Sequence, residues 1–173
     1  GDGRVRSRQN INVKIPGGVE TGNRIQLAGR GEVGAGGGPA GDLYVEIVEK
    51  EHEYLIRDGD NLHIAIEISF AAAALGTTVD VQTLDGPISV DVKAGTQNGA
   101  TISICGKGMT RLRTSQRGDL IVHVEIFTPQ KLSRKEEQLL KEFAEMRGEK
   151  VGDVSMKSNK EGLFAKLRDA FGR

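Results

Sequence analysis

The stretch INVKIPGGVETGNRIQLAGRG at residues 11–31 matches ISVDVKAGTQNGATISICGKG at residues 88–108 without a gap, and this match decides the fold. The offset is 77 residues, and seven of the 21 aligned positions are identical. The same offset aligns a Gly-Asp-Leu tripeptide at residues 41–43 with another at residues 118–120, beyond an intervening loop. Because chance rarely preserves register through a loop, the sequence predicts two copies of one repeated unit.

Each copy has the pattern of strand, turn and strand. In the first copy, residues 11–15 alternate between apolar and polar side chains, a period typical of a strand with one buried face. Pro and Gly at residues 16–18 end that segment, and further alternating segments follow at residues 24–27 and 43–47. The repeated unit is therefore predicted to be rich in β-structure.

The second copy is preceded by additional predicted strands at residues 62–68 and 78–83. The Asp85-Gly86 dipeptide favours a tight hairpin, because both residues tolerate a positive φ. An equivalent of these strands in the first copy, 77 residues earlier, would lie before the chain begins. We therefore expect residues 1–57 to be the C-terminal part of a first β domain without its opening strands, and residues 58–128 to be a second domain.

The last segment, residues 129–173, is predicted to be a helical tail. Ser133 and Glu136 have the spacing of a capping box at the start of a helix. An apolar stripe at helical spacing follows it, and a shorter amphipathic stretch lies at residues 163–171. The stripe consists of Leu139, Leu140, Phe143 and Met146. The predicted fold is thus mainly β, with two tandem β-sandwich-like domains related by the 77-residue internal repeat, followed by C-terminal helices.

Composition excludes several classes of protein. The 24 basic residues equal the 24 acidic ones and aromatics are only 4%, which argues against a nucleic-acid-binding surface. A single cysteine, Cys105, allows neither an internal disulfide nor a cysteine-cluster zinc site, and is consistent with a reducing, cytoplasmic location. The chain contains no run of 18 apolar residues, so no membrane span is expected.

The sequence contains no recognisable catalytic motif. The three histidines have no metal-hydrolase spacing, and there is no Gly-x-Ser-x-Gly nucleophile elbow. Asp42 and Asp119 recur at equivalent places in the two copies, which favours a side chain that stabilises a turn over a catalytic acid. We therefore expect a binding protein and no enzyme, in which an exposed strand edge and an apolar groove accept an extended peptide.

Several motifs resemble those of DnaJ-type co-chaperones. Residues 52–62, HEYLIRDGDNL, are similar to the H-x-x-F-x-R-x-G-x-D-L segment between the two C-terminal domains of that family. Residues 38–43, GPAGDL, resemble its G-P-x-G-D-L motif, and the end of the chain, GLFAKLRDAFG, is typical of many bacterial members. Further matching motifs are Leu84-Asp85-Gly86, Ala94-Gly95-Thr96-Gln97, Gly106-Lys107-Gly108 and Arg117-Gly118-Asp119-Leu120.

The resemblance implies a region that binds exposed apolar segments of non-native polypeptides, forms a homodimer and delivers clients, in the full-length protein, to a DnaK-type ATPase chaperone. In the zinc-containing class, a cysteine-rich module precedes the strand matching residues 11–15, and Gly1-Asp2-Gly3 is similar to its last G-x-G. We expect that module and the J domain to be absent here, and no cofactor in this chain. The alternative is a non-catalytic, β-rich protein–protein interaction module without an unfolded client.

The resemblance also implies candidate site residues. Leu55 occupies the place of the aromatic residue in H-x-x-F, which forms part of the family's client pocket. Ile15, Ile25 and Leu27 are candidates for the wall or floor of that pocket, and the alternative for each is ordinary sandwich core. The stripe defined above matches the dimerisation segment, and either meets a second chain or packs within its own. Residues 163–171 either extend that interface or form a membrane-surface helix.

Overall fold

The computed structural model describes residues 5–150 and 152–158. Eight strands and two α-helices are assigned in this part of the chain, together with a single 3-10 turn at Ala35–Gly37. They are, in order, β1 (Arg24–Leu27), β2 (Leu43–Glu46), β3 (Ile56–Asp58), β4 (Asn61–Ser69), α1 (Phe70–Leu75), β5 (Thr77–Thr83), β6 (Gly86–Val92), β7 (Thr101–Ile104), β8 (Leu120–Phe127) and α2 (Arg134–Met146). The prediction of a mainly β fold followed by a C-terminal helix is confirmed.

The chain divides into two compact units, residues 1–128 and residues 129–173. The first contains all eight strands and the second contains α2. A division of the first unit at residues 57 and 58 stays a prediction. The glycine-rich start at residues 1–3 and the amphipathic stretch at residues 163–171 lie outside the described residues.

The largest sheet has the strand order β3-β4-β8-β7. At its centre, β4 and β8 pair in parallel from Leu62 opposite Leu120 to Ser69 opposite Phe127. A parallel pair needs a long crossover connection, which here consists of α1, the β5–β6 hairpin and β7. The short strands β3 and β7 flank this pair in antiparallel orientation.

The core lies between this sheet and the β5–β6 hairpin. Every second side chain of β4 and β8 points to it, as the alternating pattern predicts. Leu120, Val122 and Val124 are fully buried, and Val81 and Val90 of the hairpin pack with the first two. The hairpin turn lies at Leu84 and Asp85, and Gly86 adopts a φ of 101°. The predicted hairpin is therefore present and supplies the second layer of the core.

The segment before β1 differs from the prediction. Residues 11–15 carry no strand assignment, although their side chains alternate between apolar and polar. A strand needs a hydrogen-bonding neighbour as well as a buried face, and in the described chain β1 pairs only with β2. Alternation alone does not supply that neighbour, which is why the sequence prediction was wrong for this segment.

The two aspartates that recur in the sequence have matching hydrogen bonds. Asp42 Oδ1 accepts from the N–H of Gly29 at 3.0 Å, and Asp119 Oδ1 accepts from the N–H of Gly106 at 3.1 Å. Each bond connects the start of a strand to the turn after the preceding one. The prediction that these carboxylates stabilise turns is confirmed, and the bond from Gly29 lowers the pKa of Asp42.

Candidate functional site

An open groove of about 720 Å³ lies where three loops of the first unit meet. Its wall is the segment 49–53, which precedes β3. Its apolar lining comes from the start of β3, the start of β4, the tip of the β5–β6 hairpin and the loop after β7. These lining residues are Leu55, Ile56, Leu62, Leu84 and Met109. The groove therefore combines a charged wall with an apolar floor.

Burial separates the floor of the groove from its rim. Leu55 and Leu62 are 7% and 4% exposed and belong to the core cluster, against which Met109 packs. Ile56 is 70% exposed and Leu84 is 51% exposed, so both present apolar surface to solvent. A rigid apolar floor with exposed apolar edges suits an apolar side chain from another polypeptide.

The conformation of the wall depends on His52. Its Nδ1 accepts hydrogen bonds from the backbone N–H groups of Tyr54 and Leu55, both at 3.1 Å. These bonds close a turn around the ring and place Leu55 at the core. The histidine of the H-x-x-F-like motif is thus a turn-forming residue in this chain, and its acceptor nitrogen is fully used within the turn.

The side chain of Arg57 connects the wall of the groove to two neighbouring turns. All five of its guanidinium N–H groups are matched by acceptors, and its side chain is only 14% exposed. The acceptors are the Gly59 carbonyl (2.9 Å), the Val19 carbonyl (2.8 Å), Glu49 Oε1 (2.6 Å), the Gly18 carbonyl (3.3 Å) and Glu20 Oε1 (3.3 Å). One side chain therefore joins the 18–20 turn, the wall and the turn after β3.

The 18–20 turn also contacts the loop after β7. Gly18 has a φ of 86°, and a Cβ built on it would lie 2.5 Å from the Thr110 carbonyl oxygen and 2.6 Å from the Leu112 nitrogen. On the other side of this loop, the Asp60 carbonyl accepts from the Met109 N–H at 2.8 Å. Only glycine allows this close approach, and the approach places Met109 at the floor of the groove.

Two carboxylates at the groove, Glu49 and Asp85, are paired with cations. The backbone N–H of Thr21 and the guanidinium of Arg57 lower the pKa of Glu49. Next to Leu84, Asp85 pairs with Arg117 at 2.6 Å and Lys107 at 3.5 Å, and these cations lower its pKa. Both carboxylates are therefore ionised at neutral pH and paired, whereas Glu51 and Glu53 of the wall are exposed to solvent.

The second unit presents a different apolar surface. Helix α2 begins with a capping box, in which Ser133 Oγ accepts from the Glu136 N–H and Glu136 Oε2 accepts from the Ser133 N–H. Leu139 is 55%, Phe143 49% and Met146 86% exposed, and Leu140 is half-buried. All four predicted dimerisation residues thus lie on one helix, and three of them, Leu139, Phe143 and Met146, expose about half of their surface or more to solvent.

Two family models together match nearly the whole chain. The model described as DnaJ C terminal domain matches residues 3–129, and the one described as Chaperone protein DnaJ C-terminal region matches residues 135–173. The chain belongs to the DnaJ C-terminal domain family. The first match ends at residue 129, next to the boundary between the two compact units at residues 128 and 129.

Curated relatives support the assignment to the DnaJ family along the full length of the chain. It is 56% identical over 169 residues to Chaperone protein DnaJ 2 of Streptomyces avermitilis, covering 98% of this chain and 45% of that protein. It is 49% identical over 172 residues to Chaperone protein DnaJ 1 of Mycolicibacterium paratuberculosis, covering 99% of this chain and 45% of that protein. The chain therefore spans less than half the length of these relatives.

The groove of this DnaJ C-terminal region contains one of the four predicted pocket residues, Leu55. Ile25 and Leu27 lie half-buried on β1, opposite Val45 and Leu43, and Ile15 is 56% exposed. Leu27 lines a separate concavity of about 410 Å³, together with Asn10, Ile11, Asn12, Gln26, Ala28 and Arg30. The structure does not bring these three residues to Leu55.

Sequence reasoning missed the groove residues that come from distant turns. Leu84 lies at the tip of the β5–β6 hairpin, and Met109 follows β7. A large apolar residue next to a predicted hairpin turn was the available signal for Leu84, because such positions are usually polar. Nothing in the local sequence indicates that Met109 reaches Leu55.

Within the ranges 5–150 and 152–158, no three or more His, Cys, Asp or Glu side chains are placed to share a metal ion. Of the helices assigned in the described residues, none is long and apolar enough to cross a membrane.

Proposed function

We propose that this DnaJ C-terminal region binds exposed apolar segments of non-native polypeptides in the groove between the 49–53 wall and the second half of the first unit. The observation that carries the proposal is an apolar floor, formed by Leu55, Leu62 and Met109, beneath exposed apolar edges. Two of the neighbouring carboxylates, Glu49 and Asp85, are already paired with cations. The groove therefore favours an apolar side chain over a charged one.

One groove is expected to bind weakly. Burial of one large apolar side chain contributes about 1.5–3 kcal/mol, and association costs translational and rotational freedom. The proposal therefore includes a second groove on a second copy of the chain. Two grooves on one dimer raise the apparent affinity for a long unfolded chain, since the second contact is intramolecular.

We assign the contact between copies to α2. Of its apolar stripe, the four residues defined above, three are exposed and Leu140 is half-buried in the single chain. Each such side chain contributes about 1.5–3 kcal/mol when it is buried, whereas an exposed ion pair contributes about 0–1 kcal/mol. Dimerisation is thus expected to be hydrophobic and only weakly dependent on salt.

In a full-length protein, we propose that this region holds the client while other domains act on a DnaK-type ATPase chaperone. The motifs at residues 38–43 and 52–62 support this assignment, together with the family membership. The proposal assigns no catalytic step and no zinc to the residues described above. A zinc ion would belong to a cysteine-rich module upstream of the first unit.

The proposal is tested with a fluorescent peptide that contains Phe or Leu in an otherwise polar sequence, by fluorescence anisotropy. Ile56→Asp and Leu84→Asp place a carboxylate on the exposed edges of the groove without burying it, and we expect both to weaken binding about tenfold. Val33→Asp is the matched control, because Val33 is 62% exposed and lies outside the groove lining. Equal affinity of all variants would remove the groove from the client site.

The same assay separates the proposal from an interaction module that binds only folded partners. A reduced and carboxymethylated protein, which stays unfolded, is offered alongside its native form. The proposed function predicts binding of the unfolded form and much weaker binding of the native form. Preference for the native form would favour the interaction module.

A further inference from the structure

Arg57 has no donor left for a client. Its five N–H groups donate to five different acceptors, three backbone carbonyls and two carboxylates, at distances of 2.6–3.3 Å. Its side chain is 14% exposed, although the residue lines the groove. Because all its donors are engaged within the chain, the guanidinium of Arg57 can influence client binding only by positioning the segments that it connects.

One of those segments is the wall of the groove, and the other two lead to residues of its floor. Through Glu49, Arg57 fixes the wall, and through the Gly59 carbonyl it fixes the turn that leads into β4 and the floor residue Leu62. Through the Gly18 carbonyl it reaches the turn that packs on residues 110–112, directly after the floor residue Met109. Arg57 therefore ties the wall to segments next to two floor residues, in addition to the β3–β4 pairing and the hydrogen bond from Met109 N–H to the Asp60 carbonyl.

We propose that Arg57 is a positioning residue for client binding, which sets the width of the groove and thereby the size of the apolar side chain that it accepts. This inference rests on the proposed function and adds a determinant of its specificity. Lysine cannot replace Arg57, because an ammonium has only three donors and lacks the planar fork that reaches acceptors on several sides.

The experiment compares Arg57→Lys with wild type, and uses Arg24→Lys as the matched control, because Arg24 is exposed on β1 and outside the groove lining. Two fluorescent peptides differ only in carrying Phe or Val at the central position. Arg57→Lys is expected to weaken binding of the preferred peptide about tenfold and to change the ratio of the two affinities at least threefold. Arg24→Lys is expected to leave both affinities unchanged.

The ratio distinguishes positioning from a general structural effect. A loss of folded protein lowers both affinities by the same factor, so an unchanged ratio would overturn the inference, as would unchanged affinities. A second readout does not need a client: the methyl resonances of Met109 and Leu84 in NMR spectra are expected to shift in Arg57→Lys and not in Arg24→Lys. Unshifted resonances would also overturn it.

Glu49→Gln provides a second variant if Arg57→Lys fails to fold. It removes the charge of the wall acceptor and leaves the carbonyl acceptors of Arg57 in place. A change of the Phe-to-Val ratio in the same direction, with a smaller loss of affinity, supports the inference, and no change contradicts it. If wild type binds neither peptide but the methyl resonances shift, the proposed function fails while the structural effect of Arg57 on the groove stands.

Discussion

Nη1 of Arg57 lies 2.6 Å from Oε1 of Glu49, and the same Glu49 side chain accepts from the backbone N–H of Thr21 at 3.0 Å through its other oxygen. The carboxylate thus connects β3 to the turn before β1. Because Glu49 also begins the wall of the groove, the charge state of this one carboxylate is coupled to the shape of the proposed client site.

The contribution of the Glu49 carboxylate to the free energy of unfolding is expected to depend on pH. The Thr21 N–H, followed by Arg57, lowers the pKa of Glu49 below its ordinary value of 4.5. A lowered pKa in the folded state stabilises the fold above the ordinary value, and the contribution is lost as pH falls through the lowered pKa. Urea unfolding of wild type and Glu49→Gln between pH 7 and pH 3 is the measurement. The difference in the free energy of unfolding between wild type and Glu49→Gln should be constant near neutrality and decrease as the pH falls below 4.5. A pH-independent difference would contradict this.

Two variants can separate the cost of a Cβ clash at Gly18 from the cost of its positive φ, both measured in the free energy of unfolding. Gly18 and Gly22 have φ values of 86° and 92°, but a Cβ would meet the 110–112 backbone only at Gly18, and has nothing within 4 Å at Gly22. Gly22→Ala should therefore show the cost of φ alone, about 1–2 kcal/mol. Gly18→Ala should lower the free energy of unfolding by more, because backbone must move. Equal effects in urea titrations would show that the contact is not rigid.

Helix α2 should lose stability when its cap is removed. The backbone nitrogen of Ser133 lies 2.6 Å from Glu136 Oε2, and this hydrogen bond lowers the pKa of Glu136. In return, Ser133 Oγ accepts from the backbone N–H of Glu136. Ser133→Ala is expected to cost the helix about 0.5–2 kcal/mol. Amide hydrogen exchange should become faster over residues 134–140. Ser155→Ala, outside the helix, is the control and should leave these rates unchanged; identical rates in both variants would mean that the box does not stabilise α2.

The oligomeric state should depend on the apolar face of α2. Phe143→Asp introduces a charge into the stripe, whereas Lys141→Asp introduces the same side chain on the other side of the helix. Size exclusion with light scattering, including a chain that ends at Thr128, is expected to show a dimer for wild type and Lys141→Asp. The truncated chain and Phe143→Asp should be monomers. A monomeric wild type would remove the paired-groove mechanism and leave the single groove.

Local features were predictable because each depends on neighbours in sequence. The alternation at residues 62–68, the hairpin turn at Leu84 and Asp85 and the capping box at Ser133 each satisfy backbone geometry within a few residues. The family also followed from sequence, since its motifs are short and contiguous, and the family models match the same residues. Leu55 was predicted as a pocket residue in this way, from its position in the motif at residues 52–62.

The strand pairing and the residues that form the groove could be seen only in the tertiary structure. No local pattern indicates that β4 pairs in parallel with β8, 58 residues later, or that residues 11–15 alternate without a strand partner. The groove needs Leu55, Leu84 and Met109 to meet, and it needs the five acceptors of Arg57 to converge from three segments. The sequence by itself determined the periodicity, the turns and the family, because these depend on short-range geometry. Only folding decided which distant segments share one surface, because that depends on long-range packing.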